Sequence, residues 1–131
     1  GLTARASSIE LYSTVASAVS DQPLDTTEMD AGYWYRNLRE PVRFHDAVAA
    51  LLGQGEQVFV ELSPHPVLAA AITDTLTEVG GRAESVVIPT LHRDRPDLDS
   101  VAGALGRLHT YGHSPSWRGL YPHAAVVGLP T

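Results

Sequence analysis

The sequence predicts an α/β fold, a sheet covered by crossover helices, of which these 131 residues hold only a part. Three observations predict it. From Phe44 onward, amphipathic helical spacing alternates with short apolar runs, in the order helix, strand, helix, strand with tight connections. The runs VFVEL (58–62) and SVVIP (85–89) are mostly apolar, as parallel strands are when helices cover both faces of a sheet. Only one further strand candidate precedes them, which is too few to bury two faces. The chain is expected to be part of a larger fold.

Taken in order, Ile9–Val15 (IELYSTV) alternates apolar and polar residues and reads as a strand. Ser17–Asp30 is rich in Ser, Asp and Thr around Pro23 and reads as a surface loop, with room for a small turn near Leu24–Met29. Asp30 suits the cap of a helix starting at Ala31, since its carboxylate can accept from N–H groups two or three residues on. Pro41 disfavours helical geometry at Glu40, so that helix should stop near Leu38 or Arg39. The aromatics Tyr33, Trp34 and Tyr35 are expected in the core. Phe44, Val48, Leu51 and Leu52 form one helical stripe, closed by Gly53 and Gly55. After the strand at 58–62 comes a turn, Ser63-Pro64-His65-Pro66. A helix is expected from Pro66, a favourable first position, to about Val79, closed by Gly80-Gly81. Beyond the strand at 85–89, LHRDRPDLD (91–99) is charged and proline-interrupted, a boundary signal. Leu98, Val101, Ala102, Leu105 and Leu108 give an amphipathic helix ending at Gly112. The rest is expected to be irregular and anchored by Trp117, Leu120 and Tyr121.

Composition narrows the function classes. Hydrophobic residues make up 44% and charged residues 18%, as in soluble globular domains, and the length suits one core. No run approaches the ~20 apolar residues of a membrane span, and GLTARASSIELYS lacks a basic-then-apolar export signal. A cytoplasmic location with no membrane partner is expected. A net charge of −6 without a basic cluster argues against nucleic acid as a partner. The chain has no cysteine and no lysine, which rules thiol and Schiff-base chemistry out of these residues.

Candidate chemistry is sparse. His109 and His113 stand at i, i+4 and could share a metal, but Gly112 and Pro115 break the helix there and no third ligand follows; a solvated helix end is the default. His65 lies at a strand-to-helix turn, where backbone N–H groups attract anions, or it simply fills a rigid turn. Ser63 ends a strand as an elbow serine would, but the G-x-S-x-G pattern is absent. Glu61, inside an apolar strand, needs a partner, and a structural bond to a nearby arginine is favoured over catalysis. No phosphate loop, metalloprotease or calcium motif occurs. Among side chains suited to bonding at the corner of Gly32–Phe44, the chain's only asparagine, Asn37, stands out.

GYWYRNLREPVRF (32–44) followed by VFVELSPHPVL (58–68) strongly resembles the C-terminal part of the acyltransferase domain of modular type I polyketide synthases. IELYSTVASAVSDQPLDTTEMDAGYW (9–34) fits the same pattern. VVIPTLHRD, GALGRLHTYG, Trp117 and the closing GLPT resemble the linker that follows that domain. The resemblance implies the last part of an α/β-hydrolase-like large subdomain in residues 1–90, and the post-acyltransferase linker in 91–131. It implies transfer of a malonyl-type group from coenzyme A to the phosphopantetheine thiol of an acyl carrier protein, through an acyl-serine. The family's serine and histidine motifs are not in this sequence and would lie upstream of Gly1. What carries over is Asn37, whose backbone carbonyl would orient the catalytic histidine, as a carboxylate does in a Ser-His-Asp triad. No cofactor is expected in this segment. The expected partners are the N-terminal remainder of the domain, the neighbouring ketosynthase and the carrier protein, and the fragment alone should be inactive. Two other readings stand beside this one. The segment could be a docking element holding neighbouring domains without chemistry of its own, or an unrelated α/β binding module.

Overall fold

A computed structural model describes residues 3–55, 58–80, 85–123 and 125. Five α-helices and two strands occur among them: α1 (Ala31–Arg39), α2 (Phe44–Gly53), β1 (Val58–Glu61), α3 (Ala69–Glu78), β2 (Val86–Pro89), α4 (Asp97–Thr110) and α5 (Trp117–Leu120). β1 and β2 are neighbours in a two-stranded parallel sheet joined through α3. The chain divides into two compact units, Gly1–Phe59 with Ala70–Val86, and Val60–Ala69 with Val87–Thr131. No helix of the described residues is long and apolar enough to cross a membrane.

In the first unit, α1 starts where the capping signal put it. Asp30 accepts from the Tyr33 N–H at 2.8 Å, satisfying one of the first-turn donors. Gly32 leaves room for that carboxylate, because a Cβ there would stand 3.1 Å from Asp30 Oδ1. An Asp30→Ala change should therefore cost the intact domain about 1 kcal/mol; thermal unfolding would show it, and an unchanged midpoint would contradict it. A 3-10 turn at Thr26–Glu28 occupies the expected place before α1. The core holds Val15, Tyr33, Ala47, Val48 and Ile72.

Two expectations are corrected here. Ile9–Val15 is not a strand: Ile9 is 78% exposed, and the segment forms no ladder, Val15 making an isolated antiparallel bridge to Val42. Alternation favours extended backbone, but a strand also needs a neighbour along its length. Nor do the three aromatics share the core. Tyr33 is buried, whereas Trp34 and Tyr35 are exposed. Three successive residues of a helix fan out over roughly 200° of its circumference, so they cannot all face one way.

In the second unit, Ile88 is fully buried. Leu62, just past β1, is 84% exposed, and Val60 is also exposed. A cavity of about 550 Å³ is lined by Val60, Leu62, Leu91, Val101, Leu105 and Leu108. The uncovered apolar surface fits a partial fold. α4 carries Asp97 and Asp99 in its first turn and Arg107 and His109 in its last, signs that suit the helix dipole. It ends as Gly112 enters the left-handed region at φ +91°, while the His113 N–H reaches the Leu108 carbonyl at 3.1 Å and the Gly112 N–H reaches that of His109 at 3.0 Å. The tail is less irregular than expected, since α5 forms one turn. Tyr121, expected as an anchor, is 54% exposed. Gly81 and the closing GLPT lie outside the described residues.

Candidate functional site: the corner after α1

The expected stop before Pro41 is observed. α1 ends at Arg39, and Glu40 is extended at φ −86°, ψ 155°. An α-helix closes each carbonyl onto the N–H four residues later. The Glu40 N–H duly reaches the Arg36 carbonyl at 2.8 Å. The next carbonyl, that of Asn37, would need the N–H of residue 41, and a proline has none. Sequence alone thus leaves Asn37 with an open main-chain acceptor at the negative end of a helix dipole. Its side chain is exposed.

The corner is tied to the segment Ser13–Ser17. The Tyr33 hydroxyl and Ser13 Oγ share a buried hydrogen bond of 3.1 Å. Glu40 accepts from the Ser17 N–H at 2.8 Å and from the Ser17 hydroxyl at 3.0 Å. The Arg43 N–H donates to the Thr14 carbonyl at 2.7 Å, next to the Val15–Val42 bridge. Hydrogen bonds from the Ser17 N–H and hydroxyl hold the Glu40 carboxyl below its ordinary value.

The Glu61 turn, in the second unit, is described by itself. Glu61 is 5% exposed, and its partner is not the arginine expected. Oε1 accepts from the N–H groups of Val67 at 2.9 Å and Leu68 at 3.1 Å and from the Ser63 hydroxyl at 2.8 Å, while Oε2 accepts from the Ala69 N–H at 2.9 Å. Burial pushes this carboxyl up, but the N–H groups of Val67 and Leu68, the Ser63 hydroxyl and the Ala69 N–H together outweigh it and leave it below its ordinary value. The start of α3 is also corrected: the helix begins at Ala69 rather than Pro66, after the chain bends through Val67 and Leu68 with the N–H groups of residues 67–69 turned onto Glu61. An internal carboxylate therefore occupies the anion position considered for His65. That histidine fills the turn, accepting weakly from the Arg93 N–H at 3.5 Å and packing edge-on against His92 at 4.6 Å.

His109 Nδ1 meets Ser114 Oγ at 2.8 Å, and no metal-holding group of His, Asp or Glu occurs among the described residues. Ser63 hydrogen-bonds Glu61 and the His65 carbonyl, with no histidine base. The Ser114 hydroxyl does meet a histidine, His109, but that contact is exposed at the end of α4.

The family model described as "Acyl transferase domain" matches residues 2–115. The chain is 43% identical over 118 residues to erythronolide synthase EryA2 of Saccharopolyspora erythraea, covering 90% of this chain and 3% of that protein. It is 44% identical over 134 residues to polyketide synthase GfsE of Streptomyces halstedii, covering 100% of this chain and 3% of that protein. Among solved structures, the acyltransferase domain from module 8 of the salinomycin polyketide synthase superposes with a TM-score of 0.76 at 37% identity, over 88% of this chain and 26% of that one. The domain from the second module of the same synthase gives 0.78 at 32% identity, over 96% and 28%. The chain thus spans a small part of these relatives, about a quarter of one acyltransferase domain. On this evidence it belongs to the acyltransferase domain family of modular polyketide synthases.

Proposed function

We propose that this chain is the C-terminal part of an acyltransferase that moves a malonyl-type extender unit from coenzyme A to the phosphopantetheine thiol of an acyl carrier protein. The serine and histidine of that reaction lie outside these residues. The serine oxygen attacks the thioester carbonyl as the histidine takes its proton, and the histidine then returns that proton to the departing coenzyme A thiolate. The carrier's thiol next releases the acyl group from the serine by the same exchange. Asn37 serves as the positioning residue, its carbonyl accepting from the other ring N–H of the histidine.

The observation that supports this is the open carbonyl left by Pro41 at the end of α1. A carbonyl carries no full charge, but the C-terminus of a helix adds the equivalent of roughly half a negative charge, which favours the imidazolium formed in the reaction. Residues 91–131 are, on this reading, the linker toward the neighbouring ketosynthase. Partners are the N-terminal remainder of the domain and the carrier protein.

Intact mass measurement after mixing with malonyl-CoA tests the reading. The intact domain carrying this sequence should gain one malonyl group, and the isolated 131 residues none. Stoichiometric acylation of the isolated chain would contradict it, as would an intact domain that stays unmodified.

A further inference from the structure

We infer that Tyr33 and Glu40 are positioning residues that clamp the Asn37 carbonyl from both sides, an inference that rests on the role proposed for Asn37. Tyr33 stands four residues before Asn37, one helical turn away, and Glu40 three residues after it. Each is fastened to the same short segment. The Tyr33 hydroxyl meets Ser13 Oγ at 3.1 Å in a buried contact, and the Glu40 carboxylate takes both the N–H and the hydroxyl of Ser17, at 2.8 and 3.0 Å. Ser13 is itself fixed, since its Oγ accepts from the Val15 N–H at 3.1 Å, and Val15 bridges to Val42 just past the corner. α1 is therefore held against Ser13–Ser17 in its first turn, by Tyr33, and just past its end, by Glu40.

Such anchoring matters because the Asn37 peptide bond is tied on one side alone: the Leu38 N–H closes onto Trp34 within α1, while Pro41 removes the bond to the carbonyl oxygen, and the ends of helices fray. A carbonyl that must point at a donor within a few tenths of an ångström needs its peptide plane held by neighbours. Glu40 does this by a two-point contact, and its N–H closes the helix onto Arg36 one residue before Asn37.

The test uses the intact domain that carries this sequence, with kcat and KM for malonyl-CoA measured across pH. Glu40→Ala should lower kcat about tenfold with KM unchanged, less than the roughly 100-fold cost of a 1 Å misplacement. Tyr33→Phe, which deletes one hydroxyl, should lower kcat about threefold. Both should move the acidic limb of the profile to lower pH, because a looser acceptor stabilises the imidazolium less. Glu40→Gln keeps an acceptor oxygen for Ser17 and should recover most of the rate. The inference is overturned if the rates fall only in step with the folded fraction while the acidic limb stays in place. Pro41→Ala separates the two levels of the argument, since its new N–H can take the Asn37 carbonyl. If Pro41→Ala moves the limb and Glu40→Ala does not, the clamp is wrong and the carbonyl assignment stands. If neither moves it, the carbonyl assignment fails. If Glu40→Ala alone moves it, Glu40 acts by another route and the clamp is again wrong.

Discussion

Replacing Glu61 with alanine should destabilise the intact domain by about 2–3 kcal/mol, an effect larger than a typical surface change. The carboxylate is 5% exposed and gathers three backbone N–H groups and one hydroxyl. Alanine leaves all four donors without it and also removes the cap of α3. Glu61→Gln should cost about half as much, since an amide oxygen can still accept but carries no charge. The pH dependence has a definite sign. The folded carboxyl is held below its ordinary 4.5, so its contribution is complete above that value and fades as pH falls through the lower folded one. The gap between wild type and Glu61→Gln should therefore close in acid. Denaturant unfolding at pH 7 and at successively lower pH measures this; equal stability of the two at pH 7 would contradict it.

Leu38→Pro should reduce turnover of the intact domain by about 100-fold, while Asn37→Ala should stay within about twofold of wild type. The Asn37 carbonyl belongs to the peptide bond that joins residues 37 and 38. A proline at 38 pushes Asn37 out of helical geometry, removes the N–H that bonds the Trp34 carbonyl and crowds that carbonyl. Asn37→Ala leaves the peptide bond as it is and replaces an exposed side chain by a better helix former. Steady-state transfer with matched fractions of folded protein checks both. An alanine variant as slow as the proline variant would assign the work to the side chain.

Local signals in the sequence located most of the fold, and non-local ones account for what they missed. Asp30 and its partner Tyr33 are three residues apart, and Glu40 adjoins Pro41, so both ends of α1 were legible from neighbours along the chain. The start of α3 was not. Its cap is Glu61, eight residues before Ala69, and capping rules look only at the adjacent turn. Pro66 satisfied the local rule and was still outside the helix. Ile9–Val15 failed for a related reason, since period-two alternation describes one chain and a ladder takes two. The Glu61 partner is not legible in the sequence, because a carboxylate in an apolar run suggests an opposite charge, whereas a turn of three N–H groups serves equally well. The corner itself was the most legible element. That Asn37 has no donor four residues on follows from the identity of residue 41 alone.

Serine acylation in a single turnover across pH, with Pro41→Ala beside Asn37→Ala, decides whether the main-chain carbonyl at residue 37 orients the histidine. Pro41→Ala restores a donor four residues after Asn37 and frees Glu40 to continue the helix, so it should draw the carbonyl into the helix. Pro41→Ala should acylate about tenfold more slowly, with its acidic limb moved to lower pH, and Asn37→Ala should keep a wild-type profile. The opposite order, a wild-type profile for Pro41→Ala and a displaced one for Asn37→Ala, would contradict that orienting role.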